Sequence, residues 1–180
     1  MPTFIVLLRG VNVGKAKRVP MADFRRLLQK LGYTDVVTLL NSGNAVFRAA
    51  RGAPGKLAAD IGAAILHTLK IEVPVIVKSA RELRAIVDAC PIDAPAADHS
   101  KFLVAFVQQP GVLASLQGIA SLAQPPERFH VGDQAAYLHC ANGILQSQAG
   151  AALLSQAGRS ATTRNWATVL KLKNAACSDD

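Results

Sequence analysis

FIVLLRGVNVGKAKRVPMADFRRLLQKLG, residues 4–32, sets a strand, a basic loop and a helix one after another. Phe4 to Leu8 is unbroken apolar sequence, which predicts a central strand covered on both faces. Arg9 ends the run where the strand should leave its sheet. Gly10 and Gly14 permit tight or left-handed backbone, and Pro20 suits the first turn of a helix. Met21, Phe24, Leu27, Leu28 and Leu31 then share one helical face, with Arg25, Arg26, Gln29 and Lys30 off it. Gly32 is a stop signal. The loop between strand and helix carries Arg9, Asn12, Lys15, Lys17 and Arg18 and no acidic residue, a composition suited to meeting an anion.

Outward from this stretch the pattern continues in kind. Val36–Leu40 reads as a second strand, Asn41-Ser42-Gly43-Asn44 as a turn and Ala45–Phe47 as the start of a third strand. Gly55–Lys70 is a helix with Leu57, Ile61, Ile65 and Leu69 in one stripe, and Val73–Lys78 is a fourth strand. The order β-α-β-β-α-β is the split ferredoxin-like unit. Ser79-Ala80-Arg81-Glu82 is a capping box opening a short helix that Pro91 ends. Pro91–Ser100, PIDAPAADHS, reads as a linker. A second set follows: strand Phe102–Val107, a helix from Pro110 with Leu113, Leu116, Ile119 and Leu122, strands Arg128–Val131 and Ala136–Cys140, and a final helix after Thr162. The expected architecture is therefore α/β (α+β), two ferredoxin-like βαββαβ-type halves at residues 1–90 and 101–180, the second incomplete and joined to the first through 91–100.

Composition narrows the function classes. The chain has 180 residues, half of them apolar, enough for one proper core or two small ones. Its longest apolar runs are strand-length, so no membrane span is expected, and the N-terminus has no signal-peptide pattern. Cys90, Cys140 and Cys177 are odd in number and far apart, which fits a reducing cytoplasm better than a disulfide framework and gives no zinc-site spacing. The formal net charge is +8, and residues 9–51 hold nine Lys/Arg against two Asp/Glu. Such a basic face suits an anionic small molecule or a nucleic acid, or serves only as a solvated surface.

Three separated blocks, LLRGVNVGKAKRVPM, SGNAVF and TTRNWATVLKL, give the chain a resemblance to the bacterial domain of unknown function 1697 family. The first block in that family reads close to RGINVGG, so Lys15 stands where a glycine is expected. A Ser-Lys-Leu segment often precedes the last block, where this chain has Ser147-Gln148-Ala149. The resemblance implies an α/β fold and names no activity.

In a β-α-β-β-α-β unit the loop leaving strand one and the turn between strands two and three lie at one end of the sheet. Arg9, Asn12, Lys15, Ser42 and Asn44 are therefore expected as neighbours, able to cradle a phosphate or carboxylate. Gly10–Lys15 is not a P-loop, since the glycine gap is three and Ala16 follows the lysine. Near the C-terminus, Thr162 or Thr163 can cap the last helix, placing Arg164, Thr168 and Lys171 on one face with Asn165 beside them and Trp166 on a packing stripe. The functional reading joins Arg164, Asn165 and Lys171 to the same ligand site; the plainer one leaves them on a solvated face. His130, His139 and Cys140 sit near a hairpin without a carboxylate at ligand spacing and read as a packed histidine and a buried thiol. Ser42 lacks a nucleophile-elbow context. With no carboxylate pair or evident base, catalysis is disfavoured and no cofactor or metal is expected. The favoured function is a binding module with a cationic site for a phosphate-bearing small molecule or a nucleic-acid backbone. The alternatives are an enzyme acting on a small anionic metabolite and a protein-interaction domain.

Overall fold

The computed structural model describes residues 1–15, 17–155 and 159–178. Its chain divides into two compact units, Met1–Leu83 with Leu172–Asp180, and Arg84–Lys171. Each is built on a four-stranded antiparallel sheet, as the two ferredoxin-like halves require.

In the first unit the sheet runs β2 (Thr34–Leu39), β3 (Asn44–Arg48), β1 (Thr3–Leu8), β4 (Val75–Ser79). β1 is central, paired antiparallel with both β3 and β4. Helices α1 (Met21–Lys30) and α2 (Pro54–Leu69) are the crossovers. Alternation along β1 turns Phe4, Val6 and Leu8 toward them, where they join Phe24, Leu28, Ile61 and Ile65 in one core. Ile5 and Leu7, pointing the other way, are fully buried too, which is why the strand tolerates no polar residue. Phe4 and Phe47 stack inside this core with ring centroids 5.7 Å apart. Ser79 and Glu82 form the expected capping box at the start of α3 (Ala80–Asp88): Ser79 N–H donates to Glu82 Oε2 at 2.8 Å, and Glu82 N–H to Ser79 Oγ at 3.1 Å.

The second unit repeats the order, β6 (Arg128–Val131), β7 (Ala135–His139), β5 (Phe102–Val107), β8 (Ala161–Asn165). Two expectations change here. The set is complete, because residues 161–165 form a strand paired with β5, Val104 opposite Arg164, and not the first turn of the last helix. Two β-branched threonines favour extended backbone, and β5 would otherwise present an open edge. The crossover at Pro110–Leu122 is a chain of 3-10 turns and not an α-helix. Leu113, Leu116 and Ile119, each three residues from the next, are its buried residues, matching three residues per turn. They pack with Leu103, Ala105, Leu138 and Leu153, the last from α4 (Gln148–Leu154).

Residues 91–100 are fastened within the second unit. Ile92 is buried, Arg128 Nη2 donates to the Asp93 carbonyl at 2.7 Å, and Ala96–Lys101 is a 3-10 segment. The chain ends in α5 (Trp166–Ala176). Among the described residues no helix is long and apolar enough to cross a membrane.

Candidate functional site

The loop leaving β1 and the turn between β2 and β3 do meet at one end of the first sheet. Leu8 N–H donates to the Gly43 carbonyl at 2.8 Å, and Asn12 Nδ2 donates to the Asn41 carbonyl at 2.7 Å. Gly43 permits this approach. Its φ is +79°, and a Cβ there would lie 2.7 Å from both Leu8 Cβ and Val11 Cγ2.

Asn12 organises the loop internally as well. With φ +57° it takes the left-handed backbone that asparagine tolerates. Its Nδ2 also donates to the Val19 carbonyl at 2.8 Å, and its Oδ1 accepts from Val19 N–H at 2.9 Å. Both amide hydrogens and the amide oxygen are thus engaged by backbone. Val11 and Val19 are buried beneath, while Lys15, Lys17 and Arg18 are exposed. These three have no side-chain partner among the described residues.

The remaining residues of the expected site divide by role. Arg9 is half-buried at the start of the loop, its N–H donating to the Pro74 carbonyl at 3.0 Å, and burial lowers its guanidinium pKa. Asn44 is fully buried, and its Nδ2 donates to the Leu39 carbonyl at 3.1 Å and to Ser42 Oγ at 2.9 Å. Ser42 and Asn44 therefore close the turn on themselves. Arg9, Asn12, Lys15, Ser42 and Asn44 belong to the first unit; Arg164, Asn165 and Lys171 belong to the second.

The C-terminal trio differs from its expected arrangement. Arg164 is on β8, where its Nη1 donates to Thr162 Oγ1 and to the Thr163 carbonyl, both at 2.8 Å. Burial depresses its pKa to about 10. Asn165, not a threonine, caps α5: its Oδ1 accepts from Thr168 N–H at 2.9 Å. Thr168 is buried, so it does not share a solvated face with Lys171, which is exposed. Trp166 stacks on Phe102 with centroids 4.9 Å apart.

One pairing escaped the sequence reading. His139 does have a carboxylate partner, Asp98, 41 residues away, with Nε2 2.9 Å from Oδ2. Lys101 Nζ lies 2.9 Å from the other oxygen of the same carboxylate. His139 is buried and its Nδ1 has no partner among the described residues. Spacing gave no sign of this, since Asp98 lies in the segment read as a linker. Cys140, next in sequence, is buried and its thiol is pushed up by that burial, as an inert packed cysteine.

A family model for DUF1697, a protein of unknown function, matches residues 1–137. The chain belongs to the DUF1697 family. Within that match lie the loop at Arg9–Arg18 and the turn at Asn41–Asn44, whereas Arg164, Asn165 and Lys171 fall outside it. Among solved structures, this DUF1697 protein is similar to a conserved bacterial protein, SP0830 from Streptococcus pneumoniae. The two share 21% identity with a TM-score of 0.78, over 97% of this chain and 98% of that one. That likeness concerns the fold. No curated protein matches.

Proposed function

We propose that this chain is a binding module for phosphate-bearing ligands, with the loop from Arg9 to Arg18 as its contact. The observation that carries the reading is the exposure of Lys15, Lys17 and Arg18 on an acid-free loop whose shape Asn12 fixes. Cations on a loop tied at both ends are kept close together in the chain and attract a polyanion at lower entropic cost. The contact set is narrower than composition suggests, because the Asn12 amide serves the backbone and the Asn44 amide is engaged by the Leu39 carbonyl and Ser42 Oγ. A small phosphorylated molecule is favoured over single-stranded nucleic acid read on the sheet, since Phe4 and Phe47 lie in the helix-side core. The proposed setting is the cytoplasm, in keeping with three free cysteines.

The test is a titration with inorganic triphosphate and, separately, with a fluorescent single-stranded oligonucleotide, across a salt series. Triphosphate should bind, and replacing Lys15, Lys17 and Arg18 together by alanine should abolish it. If the oligonucleotide binds through the same three cations, log affinity should fall against log salt with a slope of about 2. Unaltered triphosphate binding by the triple variant would remove the loop as the contact.

A further inference from the structure

The first unit carries a second feature that shares no residue with the loop: an open hollow of about 760 Å³ beside α2. We propose that it binds a small molecule joining a ring-sized apolar body to a single carboxylate-like anion.

The hollow is a product of local sequence. α1 ends in a Schellman motif, with Gly32 at φ +86°, Gly32 N–H donating to the Gln29 carbonyl at 3.0 Å and Tyr33 N–H to the Leu28 carbonyl at 3.2 Å. That sharp stop sets Tyr33 at the wall of the hollow, its ring stacked on Phe47 at 4.6 Å. Leu57 lines the hollow beneath Gly52, whose φ is +128°. A Cβ at Gly52 would lie 2.8 Å from Leu57 Cδ2, so a side chain there would collide with that lining. Ala63 and Ala64, small residues on α2, leave the remaining space open.

The charges around this apolar interior choose the ligand's sign. Lys56 Nζ lies 2.7 Å from Asp60 Oδ2, one turn along α2, so these two offset each other. Arg51 and His67 also line the hollow, are exposed, and have no hydrogen-bond or ion-pair partner among the described residues. One uncompensated guanidinium remains at the rim, and its planar fork matches a carboxylate through two parallel hydrogen bonds. An aromatic body can lie against Tyr33 while its anion reaches Arg51. The volume falls within the range of small-ligand sites, roughly 300–1,000 Å³.

The experiment is an NMR titration of the isotopically labelled full chain with 2-naphthoate, and in parallel with neutral 2-naphthalenemethanol. Naphthoate should shift the amides of Tyr33, Gly52, Ala63 and His67, and bind at least five-fold more tightly than the alcohol. Arg51→Ala should erase that preference. Ala63→Trp, at an exposed helix position that leaves the fold intact, should fill the hollow and abolish binding. The Lys15, Lys17 and Arg18 triple variant should bind naphthoate unchanged, which keeps this site's fate separate from that of the loop. Absence of shifts, shifts centred elsewhere, or equal affinity for acid and alcohol would each overturn the proposal.

Discussion

His139 Nε2 and Asp98 Oδ2 stand 2.9 Å apart across 41 residues of chain, with Lys101 on the other carboxylate oxygen. Lys101 first, and His139 after it, hold the Asp98 carboxyl below its ordinary value of 3.8. A carboxyl lowered by folding contributes stability that is present above its unfolded pKa and lost as pH falls through the folded one. Asp98→Asn should therefore melt at a lower temperature than the natural chain at pH 7, and the difference should shrink as pH falls below 3.8 and vanish beneath the lowered folded pKa. A gap of equal size at both ends of the pH range would mean that the pair holds no charge-dependent energy.

Asn12 makes three hydrogen bonds to backbone from a left-handed conformation. Asn12→Ala should cost about 3 kcal/mol, combining lost hydrogen bonds with left-handed strain. Asn12→Gly loses the same bonds but accepts the backbone, so it should cost about 1 kcal/mol less. Chemical denaturation of the two variants measures the difference; identical midpoints would show that the loop relaxes out of its left-handed turn.

Lys78 is buried on β4, and burial lowers its pKa from 10.5 against the opposing pull of Glu82 at 3.8 Å. For a base lowered in the folded state the sign reverses: the charged form opposes folding, and stability rises as pH climbs from the lowered pKa toward 10.5. Lys78→Met should raise the melting temperature at neutral pH, and the gain should shrink toward pH 10.5. Glu82 keeps its bonds to Ser79 in the variant, so helix capping is not the variable. A lower melting temperature at pH 7 would show that the ion pair outweighs desolvation.

Trp166 opens α5 and stacks on Phe102 with planes 21° apart. Trp166→Ala should cost about 3 kcal/mol, at the low end for large aromatics because the ring is half-buried. Trp166→Phe should recover part of it. An unchanged midpoint in the alanine variant would remove this stack from the list of anchors.

What was legible in the sequence were elements whose pattern is local. The run Phe4–Leu8, the stripe on α1 and the Ser79–Glu82 box carry their signals within a few residues. The four-residue steps Leu57, Ile61, Ile65 and Leu69 mark α2 as α-helical. Three-residue steps at Leu113, Leu116 and Ile119 fit the 3-10 crossover, but over so short a run they also fit one face of an α-helix. β8 is ambiguous locally because Thr-Thr-Arg-Asn is good capping chemistry and equally good strand sequence; only the partner β5, about sixty residues earlier, decides between them. The meeting of the two loops followed from topology alone. Which side chains face outward there did not, since an asparagine that binds a ligand and one that binds its own backbone look identical in sequence. Asp98 and His139 had no periodicity linking them.

The Asn12 hydrogen bonds have a thermodynamic consequence for whatever meets that loop. Ordering a free backbone costs roughly 1–2 kcal/mol per residue. Here folding has already tied Asn12 to Val19 and Asn41, so the loop is tethered at both ends before a partner arrives at Lys15, Lys17 or Arg18. Even a small anion with only one or two contacts has less conformational entropy to overcome on this loop than it would on a floppy basic tail of the same composition.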